Sequence, residues 1–284
     1  MPVNAIRLVR KMRGGAQAHL LECDDGGFYV VKFRNNPQHR RVLVNEWISS
    51  VFLKHLQISA PHTAVVNLSP EFLEATSEIA MQMGSHALRP EPGWHFGSQF
   101  PGDPSKMAVY DFLPDVLLGK VANAAEFPGV FAFDKWMGNA DARQAIFFRA
   151  RLRPSTGESA GCETDRVGFV AQMVDHGYVF DGPHWTFADS PLRALYFRPS
   201  VYQRVRSWDD FQPWLDRIVA FPEEVIDDAL KRMPPEWLAG DEPDLQKLLR
   251  QLLHRRKQVP EFLRESAAAR TNPFPNWSNR SHQP

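Results

Sequence analysis

Net charge, lysine, cysteine and long apolar runs are all scarce in this 284-residue chain. Basic and acidic residues balance at 33 each, so no bulk field draws the protein to nucleic acid or anionic lipid, and any anion site must be local. Cysteine occurs twice, at Cys23 and Cys162, far apart and near no histidine pair with zinc-like spacing. That excludes a disulfide framework and a metal finger and leaves two free thiols. No segment approaches the ~20 apolar residues that cross a bilayer. The opening MPVNAIRLVRKM lacks the apolar stretch of a secretory signal, so a cytoplasmic location is expected. With 9 Lys against 24 Arg, surface carboxylates have mainly Arg as partner, and each Lys invites scrutiny.

What is present reads in two styles. Residues 5–33 form a meander: AIRLVRKM, AHLLEC and FYVVKF are strand-like, and the DDGG between the last two is hairpin chemistry. Residues 39–56 carry Leu43, Trp47, Ile48, Val51, Phe52 and Leu56 at the spacing of an amphipathic helix. A strand follows in ISAPHTAVVNLS, and the Gly- and Pro-rich stretch 79–104 reads as an ordered loop. MAVYDFLPD is a short strand ending at Pro114, after which VLLGKVANA and PGVFAFDKWMG turn helical. AIFFRARLRP and RVGFVAQMVDHG make a hairpin across the polar turn PSTGESAGCETD, and residues 207–264 repeat helical blocks, one starting near Pro222. From Ser266 the apolar periodicity stops, which predicts a mobile tail. The expected division is a strand-rich unit over 1–114, a helical unit over 115–265 and the tail 266–284, with no internal repeat.

Four short stretches carry chemistry when taken in order. Arg13-Gly14-Gly15-Ala16-Gln17-Ala18 joins two strands with small residues, so backbone N–H groups can approach a phosphate. Lys32 stands alone in the apolar strand YVVKF, and facing a cleft it would bind phosphates and need an acid to hold it; Glu46, on the helix that follows, is the natural partner. In FDKWMGNADARQAIFFR, Gly138 and Ala140 permit a tight turn, and Asp141 can orient or deprotonate a hydroxyl beside an amide able to bind metal or phosphate oxygen. Val174-Asp175-His176-Gly177 ends an apolar strand with a carboxylate suited to Mg²⁺ and a glycine that permits a sharp turn. Taken alone, Lys32 reads equally as an edge-strand lysine, and the other stretches read more readily as ordinary turns or a solvated helix acid; their order is the signal.

The runs GGAQAHLLE, YVVKFRNNPQHRRVLVNE, FDKWMGNADARQAIFFR and MVDHG resemble the HipA-like kinase families over about residues 5–190. The resemblance implies an α+β, two-lobed, protein-kinase-like fold, with a small β-rich N-lobe over a mainly helical C-lobe. It implies an ATP-dependent phosphotransferase using Mg²⁺, with Asp141 as catalytic base, Asp175 as metal ligand, Lys32 on the phosphates and the Gly14-Gly15 turn above them. The segment 107–114, with Tyr110 and Phe112, would be the hinge that hydrogen-bonds adenine through its backbone. The family's Asn five residues after the catalytic Asp is Ile146 here, so Gln144 is the first candidate for a second metal ligand and Asn139 the second. A rival alignment makes Asp134 the base, with Asn139 five residues on. Asp141 is preferred, because FDKWMG reads as a helix end that buries the neighbourhood of Asp134.

The expected acceptor is a protein Ser/Thr hydroxyl. The alternatives are a pseudokinase-type nucleotide-binding or partner-binding module without turnover, which Ile146 favours, and a lipid or small-molecule kinase. No basic amphipathic stripe speaks for a membrane substrate. HipA-type toxins carry a further N-terminal region ahead of the phosphate loop, whereas the Gly-Gly turn here comes by residue 14, so neither a toxin role nor an antitoxin partner is expected. His95, His176 and His184 lack the i, i+4 helical spacing that would converge on zinc. The run 254–257, HRRK, closes a helix, where cations complement the dipole. Acceptor specificity is expected from residues 84–104 and from the segment after Gly177.

Overall fold

The computed structural model describes residues 2–152 and 167–278. The polar turn PSTGESAGCETD and Cys162 lie outside them. Three antiparallel strands open the chain: β1 (Val3–Lys11), β2 (His19–Cys23) and β3 (Phe28–Lys32). The turn before β3 is built as its residues demand. Gly26 takes φ 78°, and Asp25 accepts from the Gly27 N–H at 2.9 Å and the Tyr29 hydroxyl at 2.7 Å. Cys23 is buried, and burial together with the neighbouring acids Asp25, Asp24 and Glu22 pushes its thiol up to about 12, which makes it inert.

Next come α1 (Arg41–Leu56), β4 (Thr63–Leu68), α2 (Pro70–Ala75), β5 (Met81–Met83), β6 (His86–Leu88) and β7 (Gly93–Gln99). The barrel closes in the order β1-β2-β3-β7-β4, with Lys32 opposite Phe96 and Val66 opposite His95. This corrects the expected loop over 79–104, which holds a hairpin and a central barrel strand. The misleading signal was glycine read as punctuation. A Cβ at Gly97 would stand 2.5 Å from Val66 Cγ2, so this is a strand glycine demanded by close approach of a neighbour.

The amphipathic reading of α1 also changes. Alongside its apolar residues the helix buries Asn45, Glu46 and Ser49, because it is packed on several sides. Phe52 stacks on Trp136 at 5.4 Å and meets Phe221 at 4.6 Å. The helix that follows the first three strands is thus buried in the core of the helical part.

The chain then runs through β8 (Val109–Tyr110), α3 (Asp115–Leu118) and α4 (Glu126–Met137) to β9 (Gln144–Arg151) and β10 (Val167–Val174). These strands form an antiparallel sheet in the order β10-β9-β8. Helices α5 (Trp214–Val219), α6 (Glu223–Lys231), α7 (Glu242–Arg255) and α8 (Val259–Ala268) complete the fold. The architecture is α+β, strand-rich first and mainly helical after, as expected. No helix among the described residues is long and apolar enough to cross a membrane.

The expected tail from Ser266 onward is packed as far as it is described. Ser266 is fully buried within α8, and Phe274 is 1 % exposed, with its ring 5.5–5.9 Å from those of Phe211, Tyr202 and Phe131. Trp277 meets Trp208 edge-on at 5.0 Å. Isolated aromatics dropped into pockets leave no periodic trace in the sequence, but each buries a large apolar area. Residues 279–284 lie outside the described ones.

Fully buried His95 has a consequence for stability. Its Nδ1 accepts the Arg34 backbone N–H at 2.9 Å, which leaves Nε2 as donor to the Glu91 carbonyl at 2.9 Å. Burial lowers its pKa from 6.5 to about 4. Below about pH 6.5 the unfolded chain therefore takes up a proton that the folded chain refuses, and stability falls as pH drops toward about 4. The full effect is on the order of 3 kcal/mol. Thermal unfolding of the wild type should show a midpoint that drops across this window. His95→Gln, which can keep both hydrogen bonds, should flatten part of the slope; an unchanged slope would remove His95 as its cause.

Candidate active site

A cleft of about 710 Å³ opens between the barrel and the β8–β10 sheet. Gly14, Gly15 and Gln17 line it from the β1–β2 loop, Val30, Lys32 and Phe96 from the barrel, and Val109 and Asp111 from the β8 side. Asp141, Gln144, Ile146 and Asp175 complete the opposite wall.

The ion cluster is deepest. Lys32 Nζ donates to Glu46 Oε1 and, at 2.8 Å, to Asp175 Oδ1. Strand β3 presents the amine inward, and α1 delivers Glu46 beneath it. Burial alone would lower the Lys32 pKa, but Asp175 and Glu46 together outweigh it and hold the amine above the ordinary lysine range, fully charged. The same ammonium holds the Asp175 carboxyl below its usual range. Burial pushes Glu46 upward, opposed by the Lys32 charge and by a 3.0 Å bond from the His176 backbone N–H.

Asp175 sits at φ 58°, a left-handed conformation that aspartate tolerates better than most residues. The turn aims its carboxylate into the cleft. Its second oxygen accepts Gln144 Nε2 at 3.1 Å. Of the two candidates for a second metal ligand, only Gln144 therefore reaches Asp175. Asn139 is 2 % exposed and commits both ends of its amide, donating to Asp134 Oδ1 at 3.0 Å and accepting the Asp141 N–H at 3.1 Å. It is a loop brace, facing away from the cleft.

Asp134 and Asp141 occupy opposite environments. Helix α4 ends at Gly138, whose φ of 60° turns the chain out into the loop. Asp134, in the last turn, is sealed in: Arg143 Nε donates to its Oδ2 at 2.8 Å, and Arg143 Nη2 donates to its Oδ1. Asp141 is exposed and lines the cleft. The rival pairing of Asp134 with Asn139 thus places two groups that hydrogen-bond each other inside the protein.

Two further residues, Arg143 and Asn45, are absent from the sequence-predicted site. Arg143 Nη1 donates to the Val174 carbonyl and to His176 Nδ1, both at 2.9 Å, so one buried guanidinium ties the Asp141 loop to the Asp175 loop. Since arginine only donates, His176 carries its proton on Nε2, which donates to the Met173 carbonyl at 3.1 Å. Burial and the Arg143 charge keep this imidazole neutral. Asn45, beside Glu46, gathers the carbonyls of Gly177, Val179 and Gly182 around its Nδ2 at 2.8–3.1 Å and accepts Trp185 Nε1 at 2.9 Å. Adjacent residues of α1 therefore grip the segment after Asp175 at two places. A polar pair on a helix with no polar face was the available clue.

Tyr110 and Phe112 direct their rings away from the cleft. Tyr110 packs edge-on to Phe169 at 6.1 Å, and Phe112, 62 % exposed, lies beneath the Arg198 guanidinium at 4.5 Å. The cleft is lined by their neighbours Val109 and Asp111. Any contribution from Tyr110 or Phe112 would come from the backbone.

Among the described residues no three His, Cys, Asp or Glu side chains converge as a preformed metal site. A donor set of one carboxylate and one amide on the wall of an open cleft suits a hard cation that takes most of its ligands from water and substrate phosphates.

A comparison with curated proteins finds no match. Two of the solved structures similar to the chain are of a Golgi casein kinase. One is a Golgi casein kinase with Mn/ADP bound, at TM-score 0.49 and 12 % identity, covering 95 % of this chain and 73 % of that one. The other is a Golgi casein kinase at TM-score 0.49 and 11 % identity, covering 95 % and 72 %. A family model described as HipA-like kinase matches residues 5–147, a span that takes in the Gly14-Gly15 turn, Lys32, Glu46 and the Asp141 loop. With that match extending over about half of its length, the chain belongs to the HipA-like kinase family.

Proposed function

We propose that the protein transfers the γ-phosphoryl group of ATP to a hydroxyl, most simply that of a protein Ser or Thr. The observation that carries the proposal is Lys32, a charged amine held between Glu46 and Asp175 in the same cleft as the exposed carboxylate of Asp141. Lys32 neutralises phosphate charge, and the Gly14-Gly15 turn lets backbone N–H groups close over the phosphates. Asp175 and Gln144 are the residues that would hold Mg²⁺, whose chemistry there is to neutralise charge shared by the β- and γ-phosphate oxygens. Asp141 accepts the proton of the attacking hydroxyl as its oxygen bonds to the γ-phosphorus and the bond to the β–γ bridging oxygen breaks, releasing ADP. Most of the rate comes from placement and charge.

The test is incubation of the full chain with ATP and MgCl₂, read by mass spectrometry for phosphorylation of the chain itself and of added peptides, with ADP release measured in parallel. The wild type is expected to release ADP and yield a phosphorylated hydroxyl, and Asp141→Asn to do neither. One observation favours a second reading, a nucleotide-binding module without turnover: Ile146 places an apolar side chain on the cleft wall five residues after Asp141, where the family pattern has Asn. Tight ATP binding with no ADP release on any acceptor would select that reading and overturn the first.

A further inference from the structure

The phosphate loop of the proposed site is fastened from outside the cleft, by a contact between residues 65 positions apart. Gln17 Nε2 donates to the Gln82 carbonyl at 2.7 Å, and the Gln82 N–H donates to Gln17 Oε1 at 2.6 Å. One side-chain amide thereby copies the paired hydrogen bonds of a neighbouring strand. Lys11 Nζ adds bonds to the same Oε1 at 3.0 Å and to the Ala80 carbonyl at 3.3 Å.

The conformation of the loop explains why it needs an outside anchor. Met12 N–H to Ala18 O at 2.8 Å closes its neck, and Gln17 N–H to Gly14 O at 3.1 Å closes a turn within it. Gly14 lies at φ 118° and Gln17 at 48°. Glycine adopts such values freely, but a glutamine does so against steric resistance and needs surrounding contacts to keep it there. The Gln17 amide bonds supply them.

The β5–β6 hairpin is fit to be the anchor. Met81 is buried in the barrel core, and Gln82 Nε2 donates to the Gly84 carbonyl at 2.7 Å across the hairpin tip. Gln82 pairs with Ala87. Its N–H and carbonyl both face Gln17, so they are the outward, non-ladder groups of an antiparallel pair.

We infer that Gln17 is a positioning residue for the phosphates of the nucleotide: its amide, docked on the backbone of Gln82, holds the Gly14-Gly15 turn in its phosphate-binding shape. The inference rests on the nucleotide reading of the cleft. It assigns the hairpin a role in nucleotide affinity although residues 81–88 do not line the cleft.

Calorimetric titration of the full chain with ATP and with adenosine, each in MgCl₂, tests it. Gln17→Ala should weaken ATP about tenfold, as when the competent loop falls to roughly one tenth of the population. Adenosine, which has no phosphate for the loop to hold, should change by less than about twofold on the same argument. A merely structural loss would weaken both equally. Gln82→Pro deletes the N–H that reaches Gln17 and leaves the hairpin ladder intact, so it should lower the ATP-to-adenosine preference in the same direction even if Gln17→Ala folds poorly. An unchanged preference in both variants, with the wild type binding ATP, overturns this inference alone. A wild type that binds neither ligand overturns the nucleotide reading and this inference with it.

Discussion

Lys32→Met is expected to abolish ATP-dependent transfer and also to weaken the fold. Lys32 is 9 % exposed, and its amine is the cation between Glu46 and Asp175. If the proposed role holds, its removal strips the phosphates of a buried positive partner, for which a rate loss of roughly 100-fold or more is ordinary. It also leaves Glu46, 3 % exposed, as a buried carboxylate facing a second carboxylate. Breaking a buried pair from one side costs about 3–5 kcal/mol. Because burial already pushes the Glu46 carboxyl upward, the variant can recover part of this by protonating Glu46, so its stability deficit should shrink as pH falls. The double variant Lys32→Met/Glu46→Gln removes the stranded charge and should regain stability without regaining transfer. Denaturant unfolding of the single and double variants, beside an ADP-release assay, checks both halves. Equal stability in the two variants would mean that Glu46 is not held as an anion by Lys32, and transfer by either at close to the wild-type rate would remove the amine from the phosphates.

The groups that meet in the cleft were legible because each stretch carries a local mark. Lys32 is a lone amine in an apolar strand, Asp141 follows a helix-ending glycine, and Asp175 ends a strand just before Gly177. Chain order then brought them together, and in the structure Asp175 Oδ1 lies 2.8 Å from Lys32 Nζ across 143 residues. The supporting groups were not legible, because nothing near them in sequence says what they touch. Arg143 looks like a surface arginine until Asp134, Val174 and His176 close around it, and Asn45 looks like a weak helix residue until three carbonyls surround its amide. Strand β7 was hidden by Gly97, whose missing side chain is a packing requirement of Val66. Phe274 was hidden because one ring in one pocket has no period. Alternation and spacing report which face of an element is buried, whereas these residues depend on which distant element arrives.

Asp134 and Asp141 should separate cleanly when each is replaced. Asp141→Asn is expected to leave the unfolding midpoint within about 0.5 kcal/mol of wild type, as for an exposed polar substitution, and to cut transfer by roughly 10²–10⁴-fold through loss of the proton acceptor. Asp134→Ala should do something different. Arg143 cannot give up its proton, and with both side chains fully buried the variant strands a cation inside the protein. The expected loss is about 3–5 kcal/mol, and Asn139, which donates to Asp134 Oδ1 and braces the Asp141 N–H, loses its support as well. Transfer therefore falls here too, but through loss of the loop. Replacing both partners, as in Asp134→Leu/Arg143→Met, removes the stranded charge and should restore much of the stability. Denaturant curves read beside ADP release distinguish the cases, because only the Asp141 variant combines an intact midpoint with lost transfer. Were Asp134→Asn to keep the wild-type midpoint and lose all transfer while Asp141→Asn still turned over, the buried acid would be the base. The Arg143 guanidinium would then have to leave it during the reaction, carrying with it the bond to the Val174 carbonyl that holds the Asp175 loop.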